Sequence, residues 1–256
     1  MKNTKLITVD ISDNRNVYLL NELQNDGYNA VKWNDECIYN IPIILLLSPT
    51  ATVDCTVPQY SIVFCGKCTD TKIAEFAKQN INVHRYFDDP RLITRNCQLT
   101  AEGALADIIN NTPESLLWSN ILIIGNGNLS FAMAKMLKHN TNKPDIWARD
   151  PKSNPQINSY CCNLYSFDDA IQWDKYNAII NTVPALVLDC ELNQIQKSCY
   201  ILDLASKPGG VNFELAKSLG IKTHHYLKVP SIVTPKVAAT YIKQSVLQVC
   251  RREKYL

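Results

Sequence analysis

Glycine is scarce in this chain, eight in 256 residues, or about 3% against a usual ~7%. Two of the eight fall together in Gly125-Asn126-Gly127-Asn128-Leu129-Ser130, directly after the apolar run Ile121-Leu122-Ile123-Ile124. Beyond them Leu129, Ala132, Met133, Met136 and Leu137 recur at the spacing of one helix face. A buried strand that turns through glycines into an amphipathic helix is the context a dinucleotide fingerprint requires. The first glycine permits the tight turn, and the second admits a pyrophosphate to the backbone at the helix N-terminus. Ser130 stands at the third position, one side-chain step larger than glycine, which predicts slightly looser packing of helix on strand. Gly125, Asn126, Gly127, Asn128 and Leu129 are therefore candidate cofactor contacts, set against a plain βα turn with no ligand.

The end of the next strand discriminates between nucleotides. An acid there accepts bonds from the ribose hydroxyls of NAD, but here Trp147-Ala148 leads into Arg149-Asp150-Pro151-Lys152-Ser153. Arg149 takes the place of the acid, and Lys152 and Ser153 add donors for a 2′-phosphate. The reading is NADP, with NAD left open by Asp150, and Ala148, Arg149, Asp150 and Lys152 are assigned to it. Asn181, Thr182 and Val183, after the run Ala178–Ile180, and Ala205, after Tyr200–Leu204, are assigned to the remainder of the nucleotide site.

The rest of the chain is compatible with such a fold. Its 46% hydrophobic content excludes disorder, and the length allows one large domain or two modest ones. The longest apolar run, Ile41 to Leu47, is strand-sized and far short of the ~20 residues of a membrane helix. A net charge of +2 gives no reason to expect nucleic acid or an anionic membrane as partner. Met1–Asp10 lacks the apolar core and cleavage site of a signal peptide. The expectation is a cytoplasmic chain whose ten cysteines stay reduced as small core residues. Cys65-Gly-Lys-Cys68 has zinc or redox spacing, but Cys161-Cys162 does not supply the second pair, and no metal is expected.

Short apolar runs alternate with helical patterns twice over. Leu6–Val9, Ile41–Leu47 and Ser61–Phe64 accompany helical stretches at Val17–Leu23 and Thr71–Lys78. Ile121–Ile124, Ile146–Ala148, Ala178–Ile180 and Tyr200–Leu204 form the second series. The pattern predicts an α/β protein of two Rossmann-like, doubly wound parallel-sheet domains with a cleft between them. An N-terminal flavodoxin-like domain is expected over 1–98. A nucleotide-binding domain follows over 99–235, led in by a helix from Thr100, with Asp88-Asp89-Pro90-Arg91 as the connection before it. A last helix over 236–256 packs back on the N-terminal domain. Thr234-Pro235 opens that helix as N-cap and first-turn proline, with Val237, Ala238, Tyr241, Ile242, Val246 and Leu247 on its apolar face.

The segment Ile201-Leu-Asp-Leu-Ala-Ser-Lys-Pro-Gly-Gly-Val211 joins a buried strand to a Gly-Gly turn at its carboxyl end, where open α/β sheets bind ligands. With Thr100-Ala-Glu-Gly-Ala104, Ile180-Asn-Thr-Val-Pro-Ala-Leu-Val187 and Val233-Thr-Pro-Lys236, it resembles the A-subunit family of dipicolinate synthase over most of residues 99–245. Ile11-Ser12-Asp13-Asn14-Arg15 keeps the Asp and Arg of a family Gly-Gly-Asp-x-Arg turn but neither glycine. Asn128 and Ser130 depart from the family's Gly-Phe-Gly-Arg-x-Gly loop, and Ser231 from its Leu-Pro-Gly turn.

The resemblance implies an NAD(P)-dependent oxidoreductase in the mother-cell cytoplasm of a sporulating bacterium. Its substrate would be a cyclic dihydrodipicolinate-type dicarboxylate of lysine biosynthesis, and its product pyridine-2,6-dicarboxylate. It would work beside a flavoprotein-like B subunit, in a homo- or hetero-oligomer. The alternatives are another two-domain dehydrogenase of the shikimate or alanine type, and a nucleotide-binding subunit that only supports the B subunit.

That chemistry asks for donors to two carboxylates and a proton acceptor as the ring aromatises. Lys207, beside Ser206 and the Gly209-Gly210 amides, is the first choice for carboxylate binding, and acts as base if desolvation lowers its pKa. Lys236 lies at the opening turn of the last helix, where an anion is welcome. Thr100 is assigned a hydrogen bond to substrate, and Glu102 the orientation of a lysine or a proton shuttle, unless the two merely cap their helix. Asp203, inside an apolar strand, is read as fixing local backbone. His224 and His225, adjacent on a strand, point to opposite faces and lack further ligands for a metal.

Overall fold

The computed structural model describes residues 5–34, 41–51, 53, 56–139 and 142–256; residues 1–4 of the signal-peptide reading lie outside them. The chain divides into two compact units, one of residues 1–96 with 230–256 and one of residues 97–229. The first holds β1 (Leu6–Val9), α1 (Asn14–Asn25), β2 (Ala30–Lys32), β3 (Ile43–Leu46), β4 (Ile62–Cys65), α2 (Asp70–Lys78) and β5 (Asn82–Arg85). Its sheet runs β2-β1-β3-β4-β5 and is parallel throughout, the doubly wound order of flavodoxin-like folds. Strands β3 and β4 are buried at every position, as a parallel sheet covered on both faces requires.

Next comes α3, which spans Pro90–Asn111 and begins ten residues before the expected start at Thr100. Asp89 accepts the Arg91 backbone N–H at 3.0 Å, and Pro90 occupies the first turn, so the expected connection over 88–91 is an N-cap followed by proline. Thr100 and Glu102 consequently sit in mid-helix, and neither caps it.

The second unit contains β6 (Ile121–Ile124), α4 (Asn128–Met136), β7 (Asp145–Ala148), β8 (Leu164–Ser166), β9 (Ala178–Asn181), β10 (Tyr200–Asp203), α5 (Phe213–Leu219) and β11 (Lys222–His225). Its order is β11-β10-β9-β6-β7-β8, again all parallel. Counted from β6 as the first strand, this is the 3-2-1-4-5-6 order of dinucleotide-binding sheets. From β6 the chain moves outward to β7 on one side and returns to β9 on the other, so a crevice opens beyond the carboxyl ends of β6 and β9. Ile121 and Ile123 face one layer, with Ala132 and Met133 of α4. Leu122 and Ile124 face the other, with Trp147 and Ile179.

The chain closes with α6 (Val229–Ile232) and α7 (Pro235–Arg252). Ala239, Ile242, Val246, Leu247 and Cys250 of α7 enter the core formed by Ile7, Val9, Leu19 and Leu23. Thr234 precedes α7 but makes no capping bond, and its Oγ1 is buried without a partner. Val237 and Met136 leave the apolar faces expected of them, at 42% and 41% exposed, while the small Ala239 and Ala134 are fully buried. Among the described residues no helix is long and apolar enough to cross a membrane.

Candidate functional site

The turn after β6 contains two glycines that lack a side chain for different reasons. Gly125 has φ +107°, and a Cβ there would stand 2.4 Å from Thr182 Oγ1, so the fold itself demands glycine. Gly127 has ordinary extended backbone, φ −90° and ψ −169°, and a Cβ there would meet nothing within 4 Å. Among the described residues no group uses the space at Gly127. A ligand approaching the start of α4, where no side chain caps the helix, would use it.

Ser130 does not loosen the packing. It is fully buried, and its hydroxyl lies 2.9 Å from Thr182 Oγ1, which itself donates to the Ile124 carbonyl at 2.8 Å. With the Thr182 proton so used, Ser130 is the donor of the pair and ties α4 to the ends of β6 and β9. Asn181 is also fully buried. Its amide donates to Val183 O at 3.0 Å and Asp203 Oδ1 at 2.8 Å, and its oxygen accepts the Val183 N–H at 3.0 Å. The side chains of Asn181 and Thr182, assigned to the nucleotide site, are thus engaged within the scaffold.

A cavity of about 810 Å³ opens beyond β6 and β7, within the ~300–1,000 Å³ of small-molecule sites. Gly125, Asn126 and Gly127 form one side, Ala148, Arg149, Asp150 and Ser153 a second, and Trp147, Phe167, Val183, Leu186 and Val187 an apolar wall. The Trp147 ring is wedged between Phe167 at 4.5 Å and Trp173 at 5.1 Å. Asn126 Nδ2 donates to Pro151 O at 2.8 Å, which braces the glycine turn against the loop after β7.

Arg149 is exposed at the cavity and makes no ion pair among the described residues. Ser153 is corrected as a phosphate donor, because its hydroxyl proton goes to Asp150 O at 2.7 Å. Lys152 is exposed but does not line the cavity. Asn128 is exposed on the first turn of α4, whereas Leu129 packs into the core. Ala205 is buried and donates its N–H to Asp203, away from the cavity lining.

The loop after β10 is built on one buried carboxyl side chain. Asp203 is fully buried and accepts Asn181 Nδ2 at 2.8 Å, Ala205 N–H at 2.9 Å and Gly210 N–H at 2.7 Å. Gly209, at φ +94°, leaves room for that carboxylate, which a Cβ would approach to 2.6 Å. Its own N–H donates to Ser206 O at 3.0 Å. Both glycine amides are therefore engaged inside the loop and cannot receive a substrate carboxylate, contrary to expectation. The local role read for Asp203 is what the structure shows. Ser206 and Lys207 emerge exposed at the tip, without side-chain hydrogen bonds among the described residues.

The other assigned residues lie elsewhere. Thr100 is buried and Glu102 exposed on α3, and Lys236 is exposed on the first turn of α7, in the first unit. His224 Nδ1 lies 3.0 Å from Asp107 Oδ1, whose other oxygen accepts Tyr200 OH at 2.5 Å, while His225 Nε2 donates to Ala205 O at 2.9 Å. Sequence reasoning missed Asp107 and the loop-holding His225, since both partners are distant in the chain. Glu191, also on the cavity, gave no signal. Burial pushes the Cys65 thiol up to about 12, which makes it a poor nucleophile. Among the described residues no group of His, Cys, Asp or Glu side chains could hold a metal.

No protein-family model matches the chain. It is 26% identical over 185 residues to the dipicolinate synthase A subunit of Bacillus subtilis (strain 168), covering 71% of this chain and 62% of that protein. The match thus spans less than two thirds of the relative's length. The solved structure of the dipicolinate synthase A subunit from Bacillus halodurans superposes with a TM-score of 0.81 at 22% identity, over 96% of this chain and 97% of that one. Its counterpart from Bacillus subtilis superposes at 0.82 and 20% identity, over 98% and 97%. The NAD-complexed D-isomer specific 2-hydroxyacid dehydrogenase of Lactobacillus delbrueckii ssp. bulgaricus superposes at 0.54 and 15% identity, over 98% and 96%. The resemblance carried by the Asp203–Gly210 segment and its companions holds in sequence and in fold: the chain is similar to the A subunit of dipicolinate synthase.

Proposed function

We propose that the chain is an NAD(P)-dependent oxidoreductase of the dipicolinate synthase A type, forming pyridine-2,6-dicarboxylate from a cyclic dihydrodipicolinate. The observation that carries this reading is Gly127, an exposed glycine at a cavity whose missing Cβ makes room for no other group among the described residues. The NAD complex of the 2-hydroxyacid dehydrogenase of similar fold supports the same class of cofactor. A nicotinamide nucleotide supplies a hydride acceptor when bound. The first-turn amides of α4 would hold its pyrophosphate, and the Trp147–Phe167 wall keeps water from one side of the cavity.

Arg149, which makes no ion pair among the described residues, favours the 2′-phosphate of NADP. Arg149→Ala is expected to weaken NADP binding by about ten- to a hundredfold, the loss of one or two charge-assisted bonds, and to leave NAD affinity within about twofold. Calorimetric titration of both nucleotides checks this.

Aromatisation removes one hydride and one proton from the ring. Lys207, on a loop whose shape is set by Asp203, is assigned to a ring carboxylate, with Ser206 beside it. Pairing with a B subunit, like residence in the mother-cell cytoplasm, belongs to the same reading and rests on the similarity to dipicolinate synthase. Anaerobic absorbance of reduced nicotinamide, with freshly generated substrate and NADP or NAD, tests it. Signal growth with pyridine-2,6-dicarboxylate as product is expected; silence despite nucleotide binding would replace it by a subunit that works only through its partner.

A further inference from the structure

We infer that Arg15 is a carboxylate receptor in the first unit, at the carboxyl end of β1. That strand pairs with β2 on one side and β3 on the other, so its end is the switch point of the first sheet, where open α/β sheets take ligands. Arg15 is only 3% exposed. Asp13 grips one edge of the guanidinium, accepting Nε and Nη2 at 2.8 Å each. It also accepts the Arg15 N–H at 3.0 Å and Ser231 Oγ at 2.8 Å. Burial alone would raise the Asp13 pKa; Arg15 outweighs that and holds the carboxyl below its ordinary value.

A guanidinium carries five N–H groups, and Asp13 takes those of one side edge. The end edge, Nη1 with the second proton of Nη2, makes no hydrogen bond among the described residues. Two parallel N–H groups in a plane match a carboxylate. The grip of Asp13 fixes that plane before any ligand arrives, which lowers the entropy cost of binding. The Asp13 charge beside the site tolerates a monoanionic carboxylate better than a phosphate dianion.

Asn16, at the same strand ends, adds no donor for a carboxylate. Asn16, fully buried, donates Nδ2 to Asp10 O at 2.8 Å and towards Leu46 O at 3.4 Å, and its Oδ1 has no partner. The receptor itself does not rest on the proposed function.

The test is calorimetric titration of the full chain with pyridine-2,6-dicarboxylate, benzoate and inorganic phosphate, in the parent protein and in Arg15→Lys, which keeps the charge opposite Asp13. Carboxylate affinity is expected to fall at least tenfold in Arg15→Lys while NADP affinity stays unchanged. Unchanged carboxylate affinity, phosphate as the sole Arg15-dependent ligand, or no carboxylate binding would overturn the receptor. Benzoate bound through Arg15 without pyridine-2,6-dicarboxylate would uphold it as a monocarboxylate receptor. Should the variant not fold, butanedione labelling of the parent protein serves: carboxylate is expected to shield Arg15, and equal labelling with and without it would overturn the proposal.

Discussion

Lys207→Met is expected to lower turnover by roughly a hundredfold, with nucleotide affinity and melting temperature unchanged. The size follows from losing a charge-assisted carboxylate contact, about 3 kcal/mol, which is roughly a hundredfold in rate. The selectivity follows from the loop. Lys207 is exposed and its side chain makes no hydrogen bond or ion pair among the described residues, whereas the loop is set by Asp203, Gly209 and Gly210 through backbone groups. Substitution at such a surface position moves stability by no more than about 0.5 kcal/mol. Lys207→Arg should recover part of the rate if the charge is what matters. Steady-state kinetics decides, and full activity in the methionine variant would take Lys207 out of the site.

Asp203→Ala should act in the opposite way, through stability first. Three donors now end on its carboxylate, from Asn181, Ala205 and Gly210, inside a region closed to water. Leaving each buried and unpaired costs about 1–3 kcal/mol, so a total near 3–9 kcal/mol is expected, less whatever water enters the space. Asp203→Asn keeps the volume but offers one acceptor oxygen where the native side chain uses two, and should fall between. A denaturant midpoint equal to that of the parent protein would show that Asp203 does not organise the loop.

What the sequence revealed and what it hid divide along burial. The interior strands β3, β4, β6, β7, β9 and β10 are buried at every position, so each reads as an apolar run. The sheet edges are β2, β5, β8 and β11, and each is partly exposed and polar. Three of these leave no run to find, and β11 shows only through its histidine pair. The start of α3 was legible in principle, since Asp89-Pro90 is a capping signal, but it stood where a domain connection was expected.

At the site, the glycine turn and the exposed Arg149 could be read locally. The engagement of Asn181, Thr182 and the Gly209-Gly210 amides could not. Each is satisfied by a partner distant in the chain or across the loop, and side-chain chemistry alone does not show whether a donor is already taken. The free edge of Arg15 was hidden for the same reason, because it depends on which donors Asp13 leaves over.

The central claim is that the cavity beside Gly127 receives a nicotinamide nucleotide, and titration of NADP and NAD into the parent protein and Gly127→Ala tests it most directly. The backbone at Gly127 accepts alanine and a Cβ there touches nothing, so the melting temperature should stay close to that of the parent. The same methyl would stand where a pyrophosphate approaches the backbone, and affinity should drop by about tenfold or more. A parent protein that binds neither nucleotide, or a Gly127→Ala variant that binds as tightly as the parent, would contradict the account.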